Sequence, residues 1–184
     1  MAKTKAPLYF IALVPDDELE NQIRKLKEEV KEKYNSEKAL RLPAHITLQI
    51  PFKMDEKNED VVIEALQEVA VKADALKLQL SGFGNFSGRV IYVNVSNPSP
   101  VLQLHKNIQE ILASTIRMED REKSSDIHPH ITIATRDLSR KEFKNAWPEY
   151  KKRDFNASFM TENLTLFKHN GKTWDVLKEF ALVD

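Results

Sequence analysis

The alternation of apolar and polar residues along this chain predicts short β-strands separated by amphipathic helices. Leu8–Val14 is apolar on both faces, as expected of a buried central strand. The next segment begins at Pro15-Asp16-Asp17 and carries apolar residues at helical spacing with charges between them, which predicts an amphipathic helix. Its apolar positions are Leu19, Ile23, Leu26, Val30 and Tyr34.

The rest of the chain continues this pattern and predicts the order β-α-β-α-β-β-α-β-α-β-β. The further predicted strands are His45–Phe52, Leu76–Phe86, Val90–Ser96, Ile127–Arg136, about Phe155–Lys168 and Thr173–Leu182. Further helices are predicted around Val62–Ala73, around Val101–Leu112, and from the cap Ser139 to about Trp147, where Pro148 should end the helix. Ser87-Gly88 and Asn170-Gly171 are hairpin signals, the latter for a type I′ turn.

The connections between these elements indicate the fold class. Some strands are joined by hairpins and others through helices, which favours an α+β fold over a doubly wound parallel sheet. Two βαβ-type halves suggest an internal duplication whose sequences have diverged. No segment is long or flexible enough to separate independent units, so we expect a single domain over residues 1–184.

Composition and charge narrow the functional classes. The 184 residues are 41% hydrophobic and 30% charged, values typical of a soluble globular protein. The absence of cysteine excludes disulfides and a cysteine nucleophile, and it suits the reducing cytoplasm. No apolar run reaches the length of a membrane span. The 28 basic residues balance the 28 acidic ones, which argues against a duplex-DNA-binding surface but not against a nucleotide-binding cleft.

The tripeptide His-Ile-Thr occurs twice, at residues 45–47 and 130–132, and uses two of the five histidines. Strand alternation predicts that His45, Thr47 and Gln49 share a polar face, with isoleucines and leucine on the other. The second copy is predicted to present His128, His130, Thr132, Ala134 and Arg136 on one face. For any one of these residues alone, a merely solvated strand face is the alternative.

Paired imidazoles and hydroxyls suit chemistry at a phosphorus atom. With a reference pKa of about 6.5, one histidine can be a neutral base while the other is a protonated acid. Thr47 and Thr132 can donate to the non-bridging oxygens as their charge grows. Because side chains supply every one of these groups, the sequence predicts no metal and no cofactor.

These residues resemble the two motifs of the two-histidine (2H) phosphoesterase superfamily, which includes 2′-5′ RNA ligase-like proteins and cyclic nucleotide phosphodiesterases. That family is defined by two His-x-Thr/Ser-x motifs with a hydrophobic last position. Here they are His45-Ile46-Thr47-Leu48 and His130-Ile131-Thr132-Ile133, and the likeness extends to the hairpin of Leu80–Phe86 with Val90–Val93.

The resemblance implies two interleaved, pseudosymmetric α/β lobes with antiparallel-rich sheets, and a central V-shaped groove with both motifs on its floor. It also implies metal-independent cleavage of a cyclic phosphate or a 2′-5′ linkage in a nucleotide or RNA end, with His45 and His130 as general acid and base. Some family members join RNA ends instead.

Further residues are candidate substrate contacts. Many ligase-like members carry an arginine five positions after the second histidine; here Thr135 holds that place, and Arg136 would reach phosphate by alternation. Tyr92 and Phe52 could stack on a base, although packing in the core is the stronger expectation for Phe52. His128 is expected at the groove rim.

Three functional hypotheses follow. The first is the phosphodiesterase, acting as a cytoplasmic monomer on a nucleotide or RNA end. The second is a noncatalytic RNA- or nucleotide-binding module on the same fold, which would not require two titrating imidazoles. The third is a metallohydrolase, because His128 and His130 form a His-x-His pair able to bind zinc. No carboxylate on that strand face completes the metal site, so we expect that His128 is not a metal ligand.

Overall fold

An eight-stranded antiparallel sheet organises the protein in the computed structural model, which describes residues 6–123 and 126–183. The strands are β1 (Leu8–Leu13), β2 (Ile46–Lys53), β3 (Leu76–Phe86), β4 (Val90–Val95), β5 (His130–Ala134), β6 (Asn156–Thr161), β7 (Asn163–His169) and β8 (Trp174–Ala181). Their order in the sheet is β6-β3-β4-β5-β2-β1-β7-β8. The helices are α1 (Asp17–Tyr34), α2 (Glu59–Ala70), α3 (Ser99–Thr115) and α4 (Arg140–Tyr150).

The sheet consists of two four-stranded halves that meet at β2 and β5. These two strands are paired through Ile46 and Ile131, and both side chains are fully buried. One half is β2-β1-β7-β8 and the other is β5-β4-β3-β6, so each half contains one His-Ile-Thr copy at its inner strand. The predicted α+β class and its two related halves are confirmed.

The helices cover one face of the sheet and cross between the halves. Helix α1 follows β1 but packs against β5 and α4, whereas α3 follows β4 but packs against β2 and α2. Ile46, Leu48, Ile131 and Ile133 all lie in the resulting hydrophobic core. The opposite face of the sheet, called here the open face, therefore carries the remaining side chains of both motif strands.

Local capping explains where α1 and α4 begin. The Asp16 carboxylate accepts a hydrogen bond from Leu19 N at 2.9 Å, and the Ser139 hydroxyl accepts one from Glu142 N at 3.1 Å. Asn35 ends α1 in the left-handed conformation with φ of 54°.

Within the described residues, no helix is long and apolar enough to cross a membrane.

The predicted single strand Phe155–Lys168 is wrong, because the structure divides it at Glu162. Strand β6 pairs with β3 at one edge of the sheet, whereas β7 pairs with β1 in the other half. A single residue thus links strands far apart in the sheet order, which requires the sheet to bend strongly. A bridge between Asp74 and Val183 also ties the start of β3 to the chain after β8.

Other boundaries differ from the prediction for identifiable reasons. The second motif strand was predicted over Ile127–Arg136 but spans only five residues, because β5 ends where the chain turns at Thr135. Pro148 does not end α4, which continues to Tyr150. The Tyr150 ring is fully buried and packs 5.1 Å from the Phe83 ring centroid, which holds this last turn in place.

The two predicted hairpin turns differ in their outcome. Ser87 and Gly88 both have positive φ, 52° and 64°, as a type I′ turn requires. In the second hairpin Gly171 has a φ of 99°, whereas Asn170 does not have a positive φ. The Asn170 side chain instead accepts hydrogen bonds from Lys172 N and Thr173 N, so the type I′ prediction is wrong there.

Candidate active site

The two His-Ile-Thr copies meet at the junction of the sheet halves. Ile46 lies opposite Ile131 in antiparallel register. Continuing this register by one residue on each side sets His45 opposite Thr132 and Thr47 opposite His130. All four side chains are half-buried and lie on the open face, since the intervening isoleucines face the core. These four residues are called the His/Thr quartet.

The quartet geometry suits a single small anion. Directly opposed residues in an antiparallel pair are about 5 Å apart, and diagonal neighbours about 7–8 Å. His45 and His130 occupy one diagonal, and Thr47 and Thr132 occupy the other. Two imidazoles can therefore flank a point above the Ile46–Ile131 pair, with a hydroxyl on each remaining side.

A shared backbone irregularity completes each motif. The pairing of β1 with β2 skips Leu48, because Ala12 pairs with Thr47 and Ile11 pairs with Gln49. The pairing of β4 with β5 skips Ile133 in the same way, directly after Thr132. Each motif thus ends in a β-bulge at its fourth residue, and such bulges turn the following side chain to the other face of a sheet.

These bulges correct two predicted orientations. Gln49 was predicted to share the face of His45, but it is fully buried and donates to the carbonyl of Glu122 at 2.7 Å. Ala134 was predicted to share the face of His130, but it is fully buried in the core. Simple alternation therefore fails after the threonine in both copies.

Both imidazoles are oriented by the carbonyl oxygen two residues earlier. His45 Nδ1 lies 2.8 Å from the Pro43 oxygen, and His130 Nδ1 lies 2.5 Å from the His128 oxygen. Since a carbonyl only accepts, Nδ1 carries the hydrogen in each ring. A neutral ring in this tautomer keeps the Nε2 lone pair, so each Nε2 can accept a proton.

The environment favours the neutral form of both rings. Burial of the ring lowers the pKa of His45 to about 4, and the positive charge of Lys27 adds to this effect, as does that of His130 whenever its ring is protonated. Donation to Pro43 acts in the opposite direction. Burial also lowers the pKa of His130, with a further contribution from His128. Both histidines are therefore neutral bases in the free protein at pH 7.

An aromatic cluster surrounds His130. The Tyr92 ring centroid lies 4.8 Å from that of His130 and 4.4 Å from that of Phe86. Tyr92 is opposite Thr132, which places it on the open face as predicted. His128 is exposed outside β5, with its ring 6.3 Å from that of His130. Tyr92 and His128 thus adjoin the quartet.

A second aromatic cluster lies beside His45 and was missed by the sequence analysis. The Phe10 ring centroid is 5.5 Å from that of His45, and Phe10 also packs on Phe167 and Trp174 at 4.5 and 4.7 Å. Leu8–Val14 is apolar on both faces, so its pattern could not show that Phe10 faces the site. Phe86 was missed because it closes a strand beside a turn.

Two predicted substrate contacts are not placed at the quartet. Phe52 is fully buried in the core, where its ring lies 6.0 Å from that of Tyr9, so it is not available to a substrate. Arg136 is exposed in the turn after β5, which Leu138 N closes by donating to the Thr135 oxygen at 2.8 Å. Because the strand has already ended, the alternation argument for Arg136 is wrong.

The predicted His-x-His pair does not form part of a metal-binding cluster. Among residues 6–123 and 126–183, no three or more histidine and acidic side chains come together as metal ligands. His128 instead contacts the Phe86 and Tyr92 rings, at 5.7 and 5.4 Å between centroids.

Gly84 provides a test of the aromatic cluster. A Cβ atom at this position would lie 2.5 Å from two ring atoms of Tyr92, so Gly84→Ala must displace the ring that packs on His130. We expect kcat/KM, measured with a cyclic nucleotide of the kind that the motif resemblance implies, to fall by roughly 10-fold, the size of effect of a displaced aromatic contact. A double-mutant cycle with Tyr92→Ala provides the control. If Gly84→Ala lowers kcat/KM as much in the Tyr92→Ala background as in the wild type, this explanation is contradicted.

Comparison with known proteins agrees with this architecture. The family model described as "2'-5' RNA ligase superfamily" matches residues 15–173. A relative from Geobacillus sp. (strain WCH70), named "Putative phosphoesterase", is 27% identical over 179 residues, which cover 95% of each chain. A Bacillus licheniformis relative of the same name is 25% identical over 177 residues, covering 95% of this chain and 98% of the relative.

Solved structures show the same fold. E. coli LigT in its apo form matches with a TM-score of 0.70 and 20% identity, over 98% of this chain and all of LigT. LigT complexed with 3′-AMP matches with a TM-score of 0.68 and 18% identity over the same shares. Because the family model matches residues 15–173, which are most of the chain, this chain belongs to the 2′-5′ RNA ligase superfamily, within the two-histidine phosphoesterases.

Proposed function

We propose that this protein is a phosphodiesterase that opens a cyclic phosphate, or cleaves a 2′-5′ linkage, in a nucleotide or RNA end without a metal ion. The observation that carries the proposal is the His/Thr quartet on the open face of the sheet. From this register, two imidazoles and two hydroxyls can surround one phosphorus atom. The imidazoles can then serve the attacking and leaving oxygens, and the hydroxyls the two non-bridging oxygens.

The hydrolysis of a 2′,3′-cyclic nucleotide illustrates the reaction. One histidine accepts a proton from water through Nε2 as the water oxygen forms a bond to phosphorus. The bond from phosphorus to one ribose oxygen breaks, and the second histidine, protonated when the anionic substrate binds, gives its proton to that oxygen. Thr47 and Thr132 donate hydrogen bonds to the non-bridging oxygens. The product is a nucleoside monophosphate.

Two observations support a nucleotide as the substrate. The similar LigT fold has been solved with 3′-AMP, a product of the kind that such a reaction would release. In this protein, aromatic rings adjoin each histidine, with Phe10 beside His45 and Tyr92 beside His130. Phe10 and Tyr92 are themselves nearly buried, but Trp174 packs on Phe10 and Phe86 packs on Tyr92, and these two rings are partly exposed. Partly exposed aromatic rings provide stacking surfaces for bases at little cost in sequence selectivity.

Turnover of 2′,3′-cyclic nucleotides tests the proposal, with Thr47→Val and Thr132→Val as diagnostic variants. Each removes one hydroxyl at nearly constant volume, and we expect kcat to fall roughly 10- to 100-fold, the value of a hydrogen bond to a charged oxygen. Thr165→Val is the matched control, since its buried hydroxyl lies on β7, two strands from β2, and has no hydrogen-bond partner in the described structure.

The outcomes separate the three hypotheses. Turnover that survives a chelator and depends on both threonines supports the phosphodiesterase. Turnover lost with chelator and restored by zinc would favour the metallohydrolase. Binding of RNA without turnover would favour the noncatalytic module.

A further inference from the structure

Helix α1 buries a lysine beside the first motif. Lys27 is 3% exposed, and its ammonium donates to the Leu42 carbonyl at 2.9 Å. Lysine is rarely buried so completely, because its charge loses hydration. Burial lowers the pKa of Lys27 to about 8, which leaves the ammonium mostly charged at pH 7. The proposed reaction does not use this group, so the free-energy cost of burying Lys27 needs another explanation.

A second α1 side chain holds the same segment. The Glu20 carboxylate accepts a hydrogen bond from Ala44 N at 2.5 Å. Glu20 and Lys27 are seven residues apart, which is two helical turns, and therefore lie on one side of α1. Together they fix the chain on both sides of Pro43. The Pro43 carbonyl is the group that orients His45.

Lys27 also acts on His45 through its charge. The charged groups that influence the His45 imidazole are Lys27 from α1 and His130 from β5, and both disfavour a proton on it. Lys27 itself is influenced by Glu20 and Arg24 on its own helix. In the described residues, no charged side chain makes a hydrogen bond to the segment just before His130. The pseudosymmetry of the two motifs is broken at this point.

We propose that Lys27 and Glu20 are positioning residues that orient His45 and make it the proton acceptor of the pair, which leaves His130 as the proton donor. The proposal rests on the phosphodiesterase function above. In the opening of a cyclic phosphate, His45 Nε2 then takes the proton of the attacking water. His130 protonates the ribose oxygen that leaves phosphorus. Neither Lys27 nor Glu20 touches the substrate.

Two measurements on Lys27→Met test the charge. The first is the NMR titration of the His45 ring without substrate, and the second is the dependence of kcat/KM on pH, whose acidic limb reports the free enzyme's base. We expect the His45 titration and the acidic limb to move upward together by about half to one pH unit, because a nearby positive charge is lost. The basic limb should stay in place.

Three further variants make the result interpretable. Lys25→Met changes an exposed lysine on the same helix and should leave both readouts unchanged. Lys27→Arg keeps the positive charge, so the acidic limb of its kcat/KM profile should lie where the wild-type limb lies. Glu20→Gln keeps an acceptor for Ala44 N while removing the negative charge that favours a charged Lys27, so it should move the limb less than Lys27→Met.

The proposal fails if Lys27→Met leaves the His45 titration unchanged, or if the basic limb moves in place of the acidic one. A variant that only loses thermal stability, with both limbs in place, would also overturn it. Absence of turnover in the wild type would instead remove the proposed function. The NMR titration would still decide whether Lys27 controls the proton affinity of His45.

Discussion

Replacement of His45 or His130 with asparagine is expected to lower kcat/KM for a 2′,3′-cyclic nucleotide by roughly 10²–10⁴-fold for each residue. The asparagine amide can still donate to the carbonyl that each Nδ1 contacts, the Pro43 or His128 oxygen. What the variant lacks is Nε2, the atom assigned to proton transfer. A loss of this size with unchanged thermal stability would therefore isolate the chemical role of each ring.

The matched control is His169→Asn, the same change in a histidine at the end of β7. His169 packs on Trp174 at 4.9 Å between ring centroids and has no part in the proposed proton transfers. We expect its kcat/KM to stay within a few-fold of the wild type. Retention of near-wild-type activity by His45→Asn or His130→Asn would remove paired acid–base catalysis from consideration.

Acidification from pH 6.5 to pH 4 is expected to reduce the free energy of unfolding by up to about 3 kcal/mol through His45 alone. The folded-state pKa of His45 is about 4, against about 6.5 for an unperturbed imidazole, so the unfolded chain binds this proton more readily than the folded one. The contribution is fully present above pH 6.5 and is lost as pH falls toward 4. His130, whose pKa is also lowered, acts in the same direction.

Urea denaturation of the wild type and of His45→Asn across this pH range measures the effect. Carboxylates contribute equally to both proteins, so the difference between the two curves reports His45. We expect the variant to lose less stability on acidification, whereas His169→Asn should follow the wild type. Parallel curves for the wild type and His45→Asn would mean that the ring is well solvated, contrary to its position at the junction of the halves.

The loss of stability in acid and the catalytic role expected of His45 have the same physical cause. The same burial that lowers the proton affinity of His45 costs stability in acid and makes the ring a neutral base at pH 7. Phosphate binding should reverse part of this shift, since an anion beside both rings favours their charged forms. That reversal would allow one histidine to carry the proton that the leaving oxygen needs.

The sequence alone determined most of the elements and which residues make up the quartet. Helical spacing in α1, the hairpin at Ser87-Gly88 and the extents of β1 and β3 are local properties, set by side-chain periodicity and turn conformation. The repeat of His-Ile-Thr is also local, and alternation correctly separated the histidines and threonines from the isoleucines. These predictions needed only the neighbours of each residue along the chain.

The tertiary structure decided the rest, because pairing partners are chosen far along the chain. Alternation reports that a strand has two faces, but a bulge such as that at Leu48 depends on the register with β1 and turns the next side chain, Gln49, to the core. At Glu162 the chain changes from pairing with β3 to pairing with β1, and the local periodicity of the sequence does not show this change. Lys27 looks in the sequence like any charged helix residue, and only the packing of α1 against the segment before His45 buries it.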